Sequence, residues 1–172
     1  AIENGNLNDK IIIPPEASGV EGSSIWLSSG ETHTLKDLLY ALMLRSGNDA
    51  ATAIAIHIGG SVEGFASMMN HTAEKIGAMD TNFANPHGLH DDQHYTTAYD
   101  LAQIAAYGLN NSTFEEIVST KNHTMPWEGH EWDRAMRNKN KILWTYEGAN
   151  GVKTGYTKKA GRCFVGSAKR NG

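Results

Sequence analysis

Two short motifs in the chain carry side chains that can act together in catalysis. Ser46-Gly47-Asn48 offers a hydroxyl and a carboxamide, and Lys153-Thr154-Gly155 offers an ammonium group and a second hydroxyl. Acyl transfer from a peptide requires a nucleophile, a proton route to the leaving amine, an oxyanion site and groups that hold the substrate. The two motifs can supply the proton route and the substrate contacts, so together they predict part of an acyl-transfer site.

Either motif alone is weak evidence. Ser46-Gly47-Asn48 can simply end one helix and begin the next, because these residue types are common helix caps. Lys153-Thr154-Gly155 occurs by chance in roughly a few per cent of chains of this length. The contexts strengthen both motifs, since the first lies between two apolar helical patterns and the second lies in a strand pattern.

The residues that would start the reaction are absent from the sequence. A serine followed three positions later by a lysine pairs a nucleophile with its base. No such spacing occurs, and the nearest approach, Thr72-Ala73-Glu74-Lys75, has a threonine and lies on the C-terminal side of Ser46. We therefore expect this chain alone to be inactive, because no acyl-enzyme forms without a nucleophile.

Composition indicates one compact domain and argues against some partners. A chain of 172 residues can bury roughly 70% of its unfolded surface. The net charge of −4 comes from interspersed acids and bases, so nucleic acid is not an expected partner. No apolar run reaches the roughly 18 residues that span a bilayer, and Ala1 to Gly5 does not resemble a secretory signal.

Cys163, in an apolar run, is predicted to be a buried hydrophobic residue rather than a reactive thiol.

Apolar periodicity predicts helices in the first two thirds of the chain. Thr34 and Asp37 form a capping box before a helix that runs to Arg45 and delivers its end to Ser46. The other predicted helices run from Asp49 to Ile58, from an N-cap at Ser61 to Gly77, from an N-cap at Thr97 to Gly108, and from Thr113 to Val118 with Ser112 as its cap.

Strand patterns follow Lys121. They cover Thr124 to Trp127, Lys141 to Trp144, Val152 to Tyr156 and Arg162 to Ser167. Helices first and strands last predict an α+β fold in one domain, residues 1–172, with a helical lobe at about 34–118 beside a mostly antiparallel sheet at about 121–172. Asn171-Gly172 is a strong hairpin-turn signal without a return strand, so we expect the chain to be incomplete in mid-sheet.

These segments together resemble the low-molecular-mass D-alanyl-D-alanine carboxypeptidases, the penicillin-binding serine peptidases that include the Bacillus sporulation carboxypeptidases. Ser-x-x-Lys, Ser-x-Asn and Lys-Thr-Gly are the motifs of penicillin-binding proteins. The resemblance runs along nearly the whole chain, and beyond the two motifs it rests on Leu35 to Ala51, Asn85 to Leu89, Tyr95 to Asp100, Asn138 to Leu143 and Gly151 to Gly161. It implies the β-lactamase/DD-peptidase (penicillin-binding transpeptidase-like) fold, incomplete at both ends.

The resemblance also implies catalytic roles for three residues. Ser46 would relay a proton to the departing D-alanine. Asn48 would hydrogen-bond the substrate's amide carbonyl and a catalytic lysine. Lys153 would attract the substrate carboxylate and lower the pKa of neighbouring proton carriers.

Substrate binding is implied for the residues that follow Lys153. The Thr154 hydroxyl would bind the substrate carboxylate, and Gly155 would let the substrate backbone approach the strand edge as an added strand. The backbone N–H of Tyr156 would contribute to the oxyanion hole. The nucleophilic serine and its lysine are expected before Ala1, and an arginine that binds the carboxylate is expected after Gly172.

The implied substrate is a peptidoglycan stem peptide ending in D-Ala-D-Ala, and β-lactam antibiotics would acylate the enzyme. No cofactor and no metal are implied. Such an enzyme acts outside the cytoplasm, so export is expected, and a membrane anchor outside these residues stays an open option. The alternative is a non-catalytic module of the same fold that binds cell-wall peptide.

Three further clusters have two interpretations each. The polar stretch of His87, His90, Asp91, Asp92 and His94 can be a metal site, although a hydrogen-bonded loop beside the cleft is favoured. Trp127, Trp132 and Trp144 can stack on the glycan of peptidoglycan, although packing in the core or on a sheet face is favoured. Lys139, Lys141, Lys158 and Lys159 can steer an acidic peptide, although a solvated surface is favoured.

Overall fold

The fold, obtained as a computed structural model that describes residues 1–170, begins with a short antiparallel strand pair, continues with helices and ends with antiparallel hairpins. The predicted turn at Asn171-Gly172 lies outside the described residues. The elements in chain order are β1 (Lys10–Ile12), β2 (Thr32–Thr34), α1 (Leu35–Arg45), α2 (Asn48–Gly59), α3 (Val62–Lys75), α4 (Ala98–Leu109), α5 (Ser112–Ser119), β3 (Asn122–Met125), β4 (Arg134–Arg137), α6 (Ile142–Thr145), β5 (Ala149–Thr157) and β6 (Gly161–Ala168).

The helices begin where the capping residues predict. The Thr34 hydroxyl accepts the backbone N–H of Asp37 at 3.0 Å, and Ser61 and Thr97 cap α3 and α4 in the same way. The prediction was one residue late for α5, whose cap is Asn111 rather than Ser112. An asparagine side chain satisfies the N–H groups of a first turn as well as a serine does, so sequence alone did not separate the two neighbours.

The core surrounds α1. Leu35, Leu38 and Leu44 are fully buried, and α1 packs against α2 and α5. The alanine-rich face of α2 lets the two helices approach closely, with Ala50, Ala53 and Ile54 completely enclosed. The junction between α1 and α2 is therefore held by the most deeply buried part of the protein.

Among the described residues the strands form three two-stranded antiparallel sheets: β1 with β2, β3 with β4, and β5 with β6. The strands predicted at Val152 to Tyr156 and Arg162 to Ser167 are confirmed as β5 and β6, with Lys153 opposite Val165. Thr124 to Trp127 only partly overlaps β3. β4 was not predicted, because its inward positions include an arginine, Arg134.

The strand predicted at Lys141 to Trp144 is wrong, because this segment is the short helix α6. The buried Asn140 accepts the backbone N–H of Ile142 through its side chain at 3.3 Å and that of Leu143 through its carbonyl at 3.4 Å. Only Leu143 is buried within the segment. Burial of one side chain does not require the alternating pattern of a strand. The hydrogen bonds to Asn140 therefore decide that this segment is helical.

Two predictions of burial are also wrong. Cys163 is exposed, since it lies on a β6 whose residues are mostly open to solvent. Trp132 is 63% exposed in the connection between β3 and β4, and Trp144 is 37% exposed. Cys163 and Trp132 belong to two-stranded hairpins, which have less neighbouring structure to cover them than a wider sheet has, whereas Trp144 lies on the short helix α6.

No helix within residues 1–170 combines the length and the apolar character needed to cross a bilayer.

A buried carboxylate connects α2 to the N-terminal segment. Asp49, fully buried, accepts the Ser24 hydroxyl at 2.5 Å, the N–H groups of Ile25 and Leu27 at 3.1 Å each, and the Ala50 N–H at 2.9 Å. Hydrogen bonds to a charged group are stronger than neutral ones, and this one group satisfies several backbone donors. Asp49 therefore fixes residues 24–27 against the start of α2.

We expect Asp49→Asn to lower the free energy of unfolding by about 3 kcal/mol, because an amide nitrogen would face N–H donors in a buried position. Urea denaturation monitored by circular dichroism measures this loss. Asp92→Asn is the matched control, since the Asp92 side chain is 79% exposed. Equal unfolding midpoints for the wild type and Asp49→Asn would contradict the role given to Asp49.

Candidate functional site

The two motifs meet in space. The Lys153 ammonium group donates hydrogen bonds to the Ser46 hydroxyl and, at 2.7 Å, to the Thr154 carbonyl. Ser46 lies at the junction of α1 and α2, whereas Lys153 lies on β5. The side chains of the two motifs are therefore in direct contact. We refer to the surface between this junction and β5, where the two motifs meet, as the groove.

Ser46 occupies an unusual backbone conformation. It is the C-cap of α1, with φ of 59° and ψ of 40°, in the left-handed region. Glycine or asparagine is the ordinary residue there, because a Cβ atom crowds the backbone and costs about 1 kcal/mol. The capping interpretation explains the position of Ser46, but it does not explain a serine whose hydroxyl contacts Lys153.

Asn48 lies beside this contact and holds a neighbouring segment. Its side-chain amide donates to the Glu21 carbonyl at 2.7 Å, and its backbone N–H donates to the Ser23 carbonyl at 2.8 Å. Gly22 makes the approach possible, because its φ is 93° and a Cβ atom there would lie 2.7 Å from the Asn48 amide nitrogen. Asn48 thus positions residues 21–27 at the groove and makes no hydrogen bond to Ser46 or Lys153 among the described residues.

The surroundings of Lys153 make its ammonium group easier to deprotonate. Burial, together with the charge of Lys139, lowers the pKa of Lys153 to about 8. Partial burial and the charge of Arg45 lower the pKa of Lys139 as well. Within residues 1–170 the lysine and arginine ion pairs lie elsewhere, at Lys36, Arg134 and Lys159. The groove therefore carries positive charge without a protein carboxylate to neutralise it, which suits an anionic ligand.

Lys139 is exposed, as the favoured solvated surface predicts, but its contact with Ser23 was not predicted. Its ammonium group donates to the Ser23 hydroxyl at 3.1 Å. The flanking Asn138 and Asn140 are buried, and the Asn138 amide donates to the Thr120 carbonyl at 3.0 Å. The two buried asparagines fix the direction in which the Lys139 side chain points. The sequence did not predict this, because a run of polar residues by itself indicates exposed surface.

The residues after Lys153 follow the exposed part of β5. Thr154 is half-buried, and Tyr156 is 69% exposed. Gly155 lies on the same face of the strand as Lys153, because side chains alternate along a strand. A Cβ atom at Gly155 would contact only Cys163, at 3.6 Å. The fold therefore does not require glycine at this position. β6 pairs with one edge of β5, and no other strand of residues 1–170 pairs with the opposite edge.

The histidine-rich loop lies against the β5–β6 connection. Lys159 donates to Asp92 at 2.7 Å and contacts the His90 ring nitrogen at 3.2 Å. Burial lowers the pKa of His87 and His94, so both rings are neutral near pH 7. In the part of the chain that the structure describes, no three histidine, cysteine or acidic side chains are arranged to hold a metal ion.

The candidate site is defined by the contact between Ser46 and Lys153. A separate cavity of about 200 Å³ lies between α3, α4 and the N-terminal residues, lined by Phe65, Met68, Ile104 and Tyr107 among others. None of the predicted site residues lines that cavity. The contact between Ser46 and Lys153, rather than a deep pocket, therefore marks the candidate site.

Comparison with known proteins gives the family. The sequence profile of the family described as D-alanyl-D-alanine carboxypeptidase, peptidase family S11, matches residues 5–172. The chain belongs to this D-alanyl-D-alanine carboxypeptidase family. The resemblance inferred from the two motifs and the flanking segments is thereby confirmed.

Relatives within the D-alanyl-D-alanine carboxypeptidase family match nearly all of the chain. DacF of Bacillus subtilis is 36% identical over 172 residues, which cover 99% of this chain and 44% of the relative. DacB2 of Mycobacterium tuberculosis is 32% identical over 174 residues, which cover 100% of this chain and 59% of the relative. The chain thus spans about half the length of these two carboxypeptidases.

Solved structures confirm the predicted α+β DD-peptidase fold. A D-alanyl-D-alanine carboxypeptidase from Mycobacterium tuberculosis superimposes with a TM-score of 0.93 at 31% identity, covering 99% of this chain and 64% of that structure. A mutant of the Streptomyces K15 DD-transpeptidase gives a TM-score of 0.91 at 35% identity, covering 98% of this chain and 70% of that structure.

The lowered pKa of Lys153 predicts a pH-dependent stability. Because its pKa falls from 10.5 to about 8 on folding, the unfolded chain binds more protons between these values, and stability rises with pH across that window. We expect Lys153→Met to be more stable than the wild type near pH 7, by up to about 3 kcal/mol. Urea denaturation near pH 7 and near pH 10 measures the difference, which should shrink at the higher pH.

Lys159→Met is the control for this measurement, because Lys159 is an exposed lysine of the same hairpin. Its stability relative to the wild type should change little between the two pH values. A Lys153→Met variant that is less stable than the wild type near pH 7 would show that Lys153 is structural.

Proposed function

We propose that this chain forms part of a serine D,D-carboxypeptidase that removes the terminal D-alanine from peptidoglycan stem peptides. The reaction would pass through an acyl-enzyme whose nucleophilic serine and base lie outside these 172 residues. The observation that carries the proposal is the hydrogen bond from Lys153 to Ser46, which joins the two motifs in one groove. Such an enzyme works outside the cytoplasm, where its substrate is located.

Ser46 and Lys153 would carry the proton that the leaving amine requires. The Ser46 hydroxyl can accept a hydrogen bond from Lys153 and donate one to the departing D-alanine nitrogen. Lys153, with a pKa of about 8, can hold or release a proton near neutral pH. Asn48 would bind the substrate amide with the donor and acceptor positions that its contact with Glu21 does not occupy.

The positive groove would hold the substrate's terminal carboxylate. Lys153, Lys139 and Arg45 provide the field, and none of them is neutralised by an ion pair within residues 1–170. The Thr154 hydroxyl would add a hydrogen bond to the carboxylate. β-Lactam antibiotics carry a carboxylate beside a reactive amide, so the same groups would bind them.

The substrate backbone would add to β5 as an extra strand. The Gly155 position is open on the face that carries Lys153, and the fold itself imposes no glycine there. The backbone N–H of Tyr156 would point to the reacting carbonyl as one donor of the oxyanion hole. Main-chain hydrogen bonds along a strand edge fix the register of a bound peptide, which explains how the scissile bond would be placed.

A non-catalytic module that binds cell-wall peptide is the second candidate. Both candidates use the same groove, but only the enzyme reacts covalently with a β-lactam.

Labelling with a fluorescent penicillin tests the proposal. We expect a longer protein that carries this chain and a Ser-x-x-Lys segment to be labelled, and the 172-residue chain alone not to be. In the longer protein, Lys153→Ala should slow acylation by about 100-fold or more, because a key electrostatic contact is lost. Lys159→Ala should keep the wild-type rate. Reversible binding of D-Ala-D-Ala peptide without labelling would support the binding module.

A second substitution tests the strand edge. In the same longer protein, we expect Gly155→Val to slow acylation by about 10-fold or more, because the new side chain occupies the face on which the substrate would lie. Its free energy of unfolding should stay within about 1 kcal/mol of the wild type, since valine favours strands and the position is open. Stopped-flow acylation and urea denaturation measure the two effects. Unchanged acylation would remove Gly155 from the substrate site.

A further inference from the structure

A group of exposed aromatic side chains lies outside the groove, and the proposed reaction does not use it. We define the aromatic face as Trp26, Trp127, His130 and Trp132. Trp26 is 76% exposed and Trp132 is 63% exposed, which is unusual for the largest apolar side chains. Exposed aromatic groups of this kind commonly mark a binding surface.

The rings form a connected series along the β3–β4 connection. The His130 ring stacks on Trp127 with a centroid separation of 3.9 Å and an angle of 31°. Trp132 lies 6.1 Å from His130. The backbone also turns here, with the His130 N–H donating to the Trp127 carbonyl at 3.1 Å. The loop therefore presents its rings in a fixed arrangement.

Arg134 supports the face from beneath. Its guanidinium lies 4.4 Å from the centre of the Trp127 ring. The same buried group donates to the carbonyls of Ile25 and Trp26, at 3.0 and 2.9 Å, and pairs with Glu31. One buried arginine thus joins the loop that carries Trp127 to the segment that carries Trp26.

The charges around the face select against several partners. Glu128, Glu131 and Asp133 are exposed in the same loop, and the charge of Arg134 is neutralised by Glu31. Exposed carboxylates repel nucleic acid and anionic membranes. The combination of flat rings with hydrogen-bonding side chains suits an uncharged ligand that has an apolar face and hydroxyl groups.

The aromatic face and the groove are joined through the backbone of residues 21–27. The Asn48 amide donates to the Glu21 carbonyl at one end of this segment, and Arg134 donates to the Trp26 carbonyl at the other. Within this segment Ser23 also accepts the Lys139 hydrogen bond. A polymer whose side branch enters the groove would therefore pass close to the aromatic rings.

We propose that the aromatic face binds the sugar chain to which the stem peptide is attached, a β-1,4-linked hexopyranose chain. The identity of the polymer rests on the proposed function. The expectation that a sugar stacks on this face rests on the exposed aromatic rings. β-1,4-linked sugars with equatorial substituents present flat apolar faces that stack on indole rings, and their hydroxyl groups can bond to the flanking carboxylates. Simultaneous binding of chain and branch would raise the local concentration of peptide at the groove.

Titration of the 172-residue chain with peptide-free sugar oligomers tests the proposal. The chain has four tryptophans, and their indole N–H signals can be resolved by heteronuclear NMR. We expect chitohexaose and cellohexaose, both β-1,4-linked, to shift the signals of Trp26, Trp127 and Trp132 and to leave Trp144 unchanged. Maltohexaose, an α-linked and curved chain, should cause no shift.

Trp132→Ala is the decisive variant, because this exposed ring can be removed without disturbing Arg134. We expect it to weaken binding of chitohexaose by about 10-fold or more. Tyr99→Ala, which removes a 72% exposed aromatic ring from α4, should bind like the wild type. Absence of shifts up to about 5 mM oligomer, or equal binding by Trp132→Ala, would overturn the proposal. Since no peptide or nucleophile is involved, these outcomes are independent of the penicillin-labelling result.

Discussion

The buried ammonium group of Lys153 is the constraint on which the site depends. Its pKa of about 8 reflects removal from water, strengthened by the neighbouring charge of Lys139. Burying a cation without a carboxylate partner costs stability, and within residues 1–170 the hydrogen bonds of Lys153 go to the Ser46 hydroxyl and the Thr154 carbonyl. No acidic side chain of these residues forms an ion pair with Lys153, so its positive charge is available to an anionic ligand.

Rigid supports on both sides keep that contact in place. Ser46 ends α1, whose leucines form the centre of the core, and Asp49 ties the first turn of α2 to residues 24–27. On the other side β5 is paired with β6 along eight registered positions and packs against α5. Preorganised groups lose little freedom when a ligand binds, so the buried framework contributes directly to the chemistry of an open groove.

The sequence was informative where local chemistry decides the structure. Thr34, Ser61 and Thr97 predicted three helix starts, and the two motifs predicted a shared groove. It was uninformative where distant contacts decide. Arg134 is buried because carbonyls from residues 25 and 26 surround it, and Lys139 is directed by two buried asparagines. A charged or polar stretch by itself predicts solvent-exposed surface. The sequence therefore does not reveal the surroundings of either residue.

Ser46 shows how function and stability separate within one residue. The left-handed cap conformation favours glycine, and a glycine there would end α1 with less strain. Gly47, directly after it, has φ of −64° and is needed for space rather than for backbone freedom, because a Cβ atom there would lie 2.9 Å from the Asp49 carboxylate. The strained position thus carries the side chain, and the relaxed position lacks one. This order makes sense if the hydroxyl at position 46 is required at the groove, where it meets Lys153.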